Sequence, residues 1–179
     1  MPIAVSEHCM AKIDENTYFL AGGYRSDTSP PGPSKATFFY DMTTKVWTEG
    51  PQMQISRSNL GCEVFMNKAT NSKNIVLIGG YDYEFTTNVA ISELLDLNGG
   101  TEWTFGPKMY KPLGGLASVS LGDSVIAIGG MVNNDIFADD ISELVCDENG
   151  CTWELLEQKL EVPRAGIVAM LIPDELAEC

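Results

Sequence analysis

Histidine is nearly missing from this 179-residue chain, which has one, His8. A zinc site rich in histidine or a Ser-His-Asp triad therefore has little to build on, and no GxSxG turn occurs. His8 lies in an apolar strand context, where a structural role is expected. The phosphate-cradling patterns GxGxxG and GxxxxGK followed by Ser or Thr are absent. Acid pairs such as Asp139-Asp140 lack the ordered spacing of a calcium loop, so they are expected on a solvated face. No apolar run approaches the roughly eighteen residues of a membrane helix. The start, MPIAVSEHCMAK, has no basic segment ahead of an apolar core, so no signal peptide is expected. Neither enzyme chemistry nor a metal or cofactor is expected.

Basic charge is scarce as well. Eleven Lys and Arg face 25 Asp and Glu, a formal net charge of −14. Residues 121–179 alone carry 2 basic and 13 acidic side chains. Such a field repels a phosphate backbone, which argues against nucleic acid and suits a solubilising face or a basic protein partner. What remains is ordinary for one globular domain: 44% hydrophobic and 20% charged residues.

The five cysteines form no CxxC pair. Cys9 and Cys62 sit in strand-like apolar contexts, HCMAKI and GCEVFM, and are expected to be small buried hydrophobes. CDENGC puts Cys146 and Cys151 on either side of a four-residue turn, where a hairpin disulfide could form. Asn-x-Ser/Thr is absent, which favours an intracellular, cytoplasmic chain and reduced thiols there, with the disulfide and a secreted protein as the alternative.

The dominant signal is a repeat. Glycine doublets at 22–23, 79–80 and 129–130 each close an apolar run: YFLAGG, IVLIGG, VIAIGG. Trp47, Trp103 and Trp153 follow the first glycine by 25, 24 and 24 residues. ISELL (91–95) and ISELV (141–145) recur at a spacing of 50. Each unit reads as four short strands joined by turns, with no helical periodicity. Glycine doublets let the chain leave a sheet at a crowded point. Each Trp is expected to pack on a neighbouring unit.

These units resemble kelch repeats, on the strength of the apolar strand into Gly-Gly, the Tyr40-to-Trp47 spacing and three copies in register. The expected Tyr is replaced by Leu95 in the second unit and by Val145 or Cys146 in the third. The resemblance implies an all-β, kelch-type β-propeller segment with four-stranded antiparallel blades at about 5–53, 57–109 and 112–162. RAGIVAMLI (164–172) matches the first strand of a fourth unit, an extra C-terminal strand in an unclosed ring. The chain is then a segment of a longer propeller, or one that self-associates through its open blade edges.

By the same resemblance, the expected function is a non-catalytic protein-interaction module. Kelch proteins of this kind serve as substrate-recruiting parts of ubiquitin ligases or as cytoskeletal adaptors; a fragment of a copper-dependent oxidase is the alternative. Contacts are expected on the loops after each doublet: Tyr24, Arg25, Tyr81, Tyr83, Phe85 and Asn133. The links between units add Arg57, Tyr110 and Arg164, because aromatic and Arg side chains dominate protein interfaces.

Overall fold

A computed structural model describes residues 1–82, 87–133 and 136–172. The first unit runs β1 (Cys9–Lys12), β2 (Thr17–Ala21), β3 (Tyr24–Arg25), β4 (Gly32–Pro33), β5 (Thr37–Asp41) and β6 (Val46–Glu49). The second runs β7 (Gly61–Asn67), β8 (Ser72–Ile78), β9 (Tyr81–Asp82), β10 (Thr87–Asn88), β11 (Ile91–Asp96) and β12 (Thr104–Lys108). The third runs β13 (Ala117–Ser120), β14 (Val125–Ile128), β15 (Met131–Asn133), β16 (Ile136–Phe137), β17 (Asp140–Asp147) and β18 (Gly150–Lys159). No helix occurs among the described residues.

Each unit makes one antiparallel four-stranded sheet in the same order: β1-β2-β5-β6, β7-β8-β11-β12 and β13-β14-β17-β18. Between its second and third strands each unit also inserts a two-stranded ribbon, β3/β4, β9/β10 or β15/β16. From the sequence, only loops are expected there. Ribbon strands have only two or three residues each, too short for period-2 patterning to register.

The second strand of each unit is flanked on both edges, and that of the middle unit, β8, is covered on both faces as well. Ile75, Val76, Leu77 and Ile78 are all fully buried, which is why this strand is apolar throughout rather than alternating. Alternation in its neighbours then separates two cores. Phe19, Ala21, Cys62, Ile75, Leu77 and Trp103 pack between the first and second sheets. Val76, Ile78, Phe65, Val125, Ala127 and Leu144 pack between the second and third. The first strands line up, with β7 lying between β1 and β13.

The doublets mark the crossing points. Gly129 has φ +59°, and a Cβ there would lie 2.7 Å from the carbonyl oxygen of Arg164. That closeness follows from a recurring bond: Gly23, Gly80 and Gly130 N–H donate to the carbonyls of Arg57, Leu113 and Arg164 at 2.9, 2.8 and 2.8 Å. A side chain at the preceding position would break it.

Register corrects two expectations. Tyr40 stands opposite Trp47, and Leu144 opposite Trp153. Leu144, not Val145 or Cys146, therefore holds the Tyr position of the third unit. Likewise Glu93 pairs with Leu77 while Ser142 pairs with Ala127. Leu77 and Ala127 both stand two residues before a doublet, so the structural counterpart of Glu93 is Ser142. The ISEL recurrence is thus one residue out of structural register.

The cysteines also depart from expectation. Cys9 on β1 and Cys62 on β7 form a disulfide, with Cα atoms 5.8 Å apart. Alternation points Cys9 toward the second sheet and Cys62 toward the first, an inter-sheet contact no local context reveals. Cys146 and Cys151, directly opposite on β17 and β18, are also bonded. Residues 164–172 carry no strand pairing, although a fourth first strand was expected there. A strand needs a ladder partner, and none stands beside this segment among the described residues.

Candidate functional site

Each ribbon is pinned to the start of its own unit by an antiparallel bridge: Ser6 with Tyr24, Ser58 with Tyr81, Gly114 with Met131. The three ribbons therefore emerge on one face. The second and third ribbons are tied together, since Asn88 Nδ2 donates to the carbonyls of Met131 and Val132 at 2.5 and 2.8 Å. Asn88 is 6% exposed, so this link is rigid rather than a solvated contact.

Where the ribbons meet the first strands lies a cavity of about 320 Å³, with Glu7, Ser58, Asn59, Tyr81, Asn88 and Met131 in its wall. Asn59 Nδ2 donates to Glu7 Oε2 at 2.9 Å, and both side chains are exposed. Ser58 is 1% exposed and its hydroxyl has no hydrogen-bond partner among the described residues. The arrangement offers hydrogen-bonding groups, one carboxylate and an aromatic wall on a fixed scaffold. It contains no nucleophile–base pair. No group of three or more His, Cys, Asp or Glu that could hold a metal occurs among the described residues.

The expected contact residues divide. Tyr24 and Tyr81 lie half-buried on β3 and β9, both on the ribbon face. Tyr110, 72% exposed, projects from the link before the third unit. Arg25 forks onto Asp27 with bonds of 3.0 and 3.0 Å and borders a separate cavity beside Pro2 and Ile3. Arg164 is exposed, its Nε donating to the Val162 carbonyl at 3.1 Å. Tyr83 and Phe85 lie outside the described residues, as does the side chain of Asn133.

Arg57 departs furthest from expectation. It is fully buried and pairs with fully buried Glu93 at 2.7 Å. Its Nη1 donates to the carbonyls of Gly79 and Ile91 at 2.9 and 3.0 Å. Glu93 also accepts from the backbone N–H groups of Gln54 and Ile55 at 2.6 and 3.1 Å. Burial pulls the guanidinium below its ordinary value, and Glu93 opposes that pull. This arginine clamps the link between units to the second sheet and presents nothing to a partner.

Sequence reasoning passed over Glu7, Ser58, Asn59 and Asn88, and also the exposed pair Ile136 and Phe137, 59% and 51% exposed on β16. One signal was available for the last two: apolar residues inside an otherwise acidic loop, NNDIFADD. The others are polar residues in polar surroundings, and only the convergence of the units brings them together.

The site belongs to a helix-free assembly of repeated four-stranded sheets, a scaffold presenting a ribbon face. Comparison with known proteins agrees with that class. Alpha-scruin of Limulus polyphemus is 30% identical over 136 residues, covering 74% of this chain and 14% of its own length. The solved structure of YjhT matches with a TM-score of 0.72 at 13% identity, over 90% of this chain and 54% of its own. The chain thus spans about one seventh of alpha-scruin and about half of YjhT. No protein-family model matches the sequence.

Proposed function

We propose that this chain is a kelch-type propeller segment that binds another protein through its ribbon face and performs no chemistry. The carrying observation is the convergence of Tyr81, Asn88, Met131 and the exposed Ile136 and Phe137 on one braced face. Exposed apolar side chains on a rigid scaffold, rimmed by polar groups, suit protein recognition. Similarity to alpha-scruin, a kelch-repeat protein, supports the family reading and a protein partner. The acidic charge favours a basic surface on that partner.

The test is affinity purification with the wild-type chain beside a Tyr81→Ala/Ile136→Ala/Phe137→Ala variant. A partner retained by the first and lost by the second, with circular dichroism unchanged, supports the reading. A partner set indifferent to these substitutions overturns it.

The two disulfides favour a second reading of place: an oxidising compartment rather than the cytoplasm. Mass spectrometry of the native protein with and without reductant decides. A shift of four hydrogens supports oxidation, and free thiols at all four positions restore the cytoplasmic expectation.

A further inference from the structure

The cavity where the ribbons meet the first strands holds a carboxylate at a backbone position that elsewhere carries glycine. Glu7, Asn59, Gly115 and Gly166 stand at one recurring place, with φ of 58°, 54°, 63° and 67°. Backbone hydrogen bonds link them in turn: Asn59 N–H to Glu7 O at 2.9 Å, Gly115 to Asn59 at 2.8 Å and Gly166 to Gly115 at 2.8 Å. A side chain in this left-handed region is costly, and such a cost persists mainly where a site uses it. Glu7 is exposed, so core packing does not account for it. Asn59 Nδ2 holds its Oε2, and Oε1 takes no hydrogen bond among the described residues.

Around that oxygen the wall offers acceptors and no cation. Asn59 and Asn88 both spend Nδ2 as a donor, and neither Oδ1 accepts a hydrogen bond among the described residues. A Cβ at Gly114 would lie 2.8 Å from Asn88 Oδ1, so glycine there keeps the amide oxygen open to the cavity. Ser58 adds a buried hydroxyl without a partner, a group that calls for one. Lys, Arg and His are absent from the wall, and the chain carries a net charge of −14.

We propose that this cavity receives the guanidinium of an arginine on the bound protein, with Glu7 as its counter-ion. The source of that arginine rests on the ribbon-face reading. The acceptors are spread over Glu7, Ser58, Asn59 and Asn88. Five N–H donors in a planar fork reach several of them together, whereas an ammonium offers three donors from one point. The volume of about 320 Å³ accommodates the head group, with Tyr81 as a wall for its flat face.

The full chain is titrated with Nα-acetyl-arginine methylamide, and with its citrulline and lysine counterparts, while backbone amides are followed by NMR. With arginine, perturbations clustered at Glu7, Ser58, Asn59, Asn88 and Gly115 are expected. Citrulline keeps the shape and loses the charge, so its binding should be at least about tenfold weaker. Glu7→Gln retains an acceptor for Asn59 and should also weaken arginine binding about tenfold. Glu7→Gly installs the residue found at 115 and 166. Its melting temperature should match or exceed wild type while arginine binding is lost, a split that a merely structural Glu7 would not show. Responses to citrulline or lysine equal to that of arginine, unchanged affinity in Glu7→Gln, or silent cavity amides overturn the proposal. Affinity purification separates it from the ribbon-face reading. A partner lost by Ile136→Ala/Phe137→Ala but kept by Glu7→Gln overturns the arginine site alone. A cavity that binds arginine in a chain whose partners ignore both sets of substitutions supports the site and overturns the ribbon-face reading.

Discussion

The junction between the first and second sheets and the junction between the second and third share a geometry but not a chemistry. The first joins Cys9 to Cys62 covalently, buries Arg57 against Glu93 and sinks Trp103 until 1% is exposed. Trp103 Nε1 donates to the Pro51 carbonyl at 2.8 Å. The second has no covalent link among the described residues. There, Trp153 Nε1 donates to Ser92 Oγ at 2.8 Å and Ser118 donates to Glu63 Oε1 at 2.9 Å. The buried Asp140 carboxylate takes Lys111 and Lys159 instead of an arginine clamp. Repetition fixes where the sheets meet, while each interface finds its own way to satisfy the polar groups it buries.

Breaking the buried ion pair should separate the junctions most sharply. Arg57→Ala leaves Glu93 uncompensated in the interior and is expected to cost about 3–5 kcal/mol, read as a fall in the denaturant midpoint. Arg164→Ala, at the equivalent but exposed position, should be nearly silent. An equal loss in both would refute the assignment of the clamp to the first junction.

Next come the disulfides. Cys9→Ser opens a link across 53 residues and should cost about 2–4 kcal/mol. Cys146→Ser opens one across 5 residues and should cost less, since a short loop restrains the unfolded chain less. Thermal melts of the two variants compare them directly; a larger loss for Cys146→Ser would contradict the ranking.

Trp153→Phe removes the donor to fully buried Ser92 and is expected to cost about 1–3 kcal/mol. Amide exchange should loosen in the third sheet before the first.

The smallest effect concerns pH. Burial raises the Glu63 carboxyl above its ordinary value, against the lowering effect of the Ser118 hydrogen bond. Between the ordinary and raised values the folded state holds the extra proton, so stability falls as pH rises through that window. Glu63→Gln should therefore raise the melting temperature slightly at neutral pH and flatten that slope. Asp140 behaves in the opposite sense: the Lys111 hydrogen bond lowers it, against burial, with Lys159 assisting. Its stabilisation is present above the ordinary carboxylate value and is lost as pH falls toward the lowered one. Across pH, the differences in melting temperature from wild type for Glu63→Gln and for Asp140→Asn should run in opposite directions.

Much of the fold was legible because glycine doublets, apolar strands and tryptophans are spaced by the geometry of one repeating sheet. Three copies reinforce one another, so four strands per unit could be placed without any contact information. The ribbons escaped because strands of two or three residues have no measurable period. The Tyr position of the third unit was misplaced by one or two residues, because the strand pairing is offset from the ISEL recurrence that a linear comparison aligns. Of the expected site, Tyr24 and Tyr81 fall on one face, whereas Arg57 proved internal. An arginine beside a strand looks the same in sequence whether it meets solvent or a buried carboxylate 36 residues away.

The sequence by itself determined the unit: its length, its four-strand order, its doublet exits and the acidity of its last third, all properties of local spacing and composition. Tertiary structure alone decided what lies between units. The Cys9–Cys62 bond, the Arg57–Glu93 clamp and the cavity bounded by Glu7, Ser58 and Asn59 each join residues about 35–55 positions apart. Such pairs leave no periodic trace, because they depend on which side of each strand faces the neighbouring sheet.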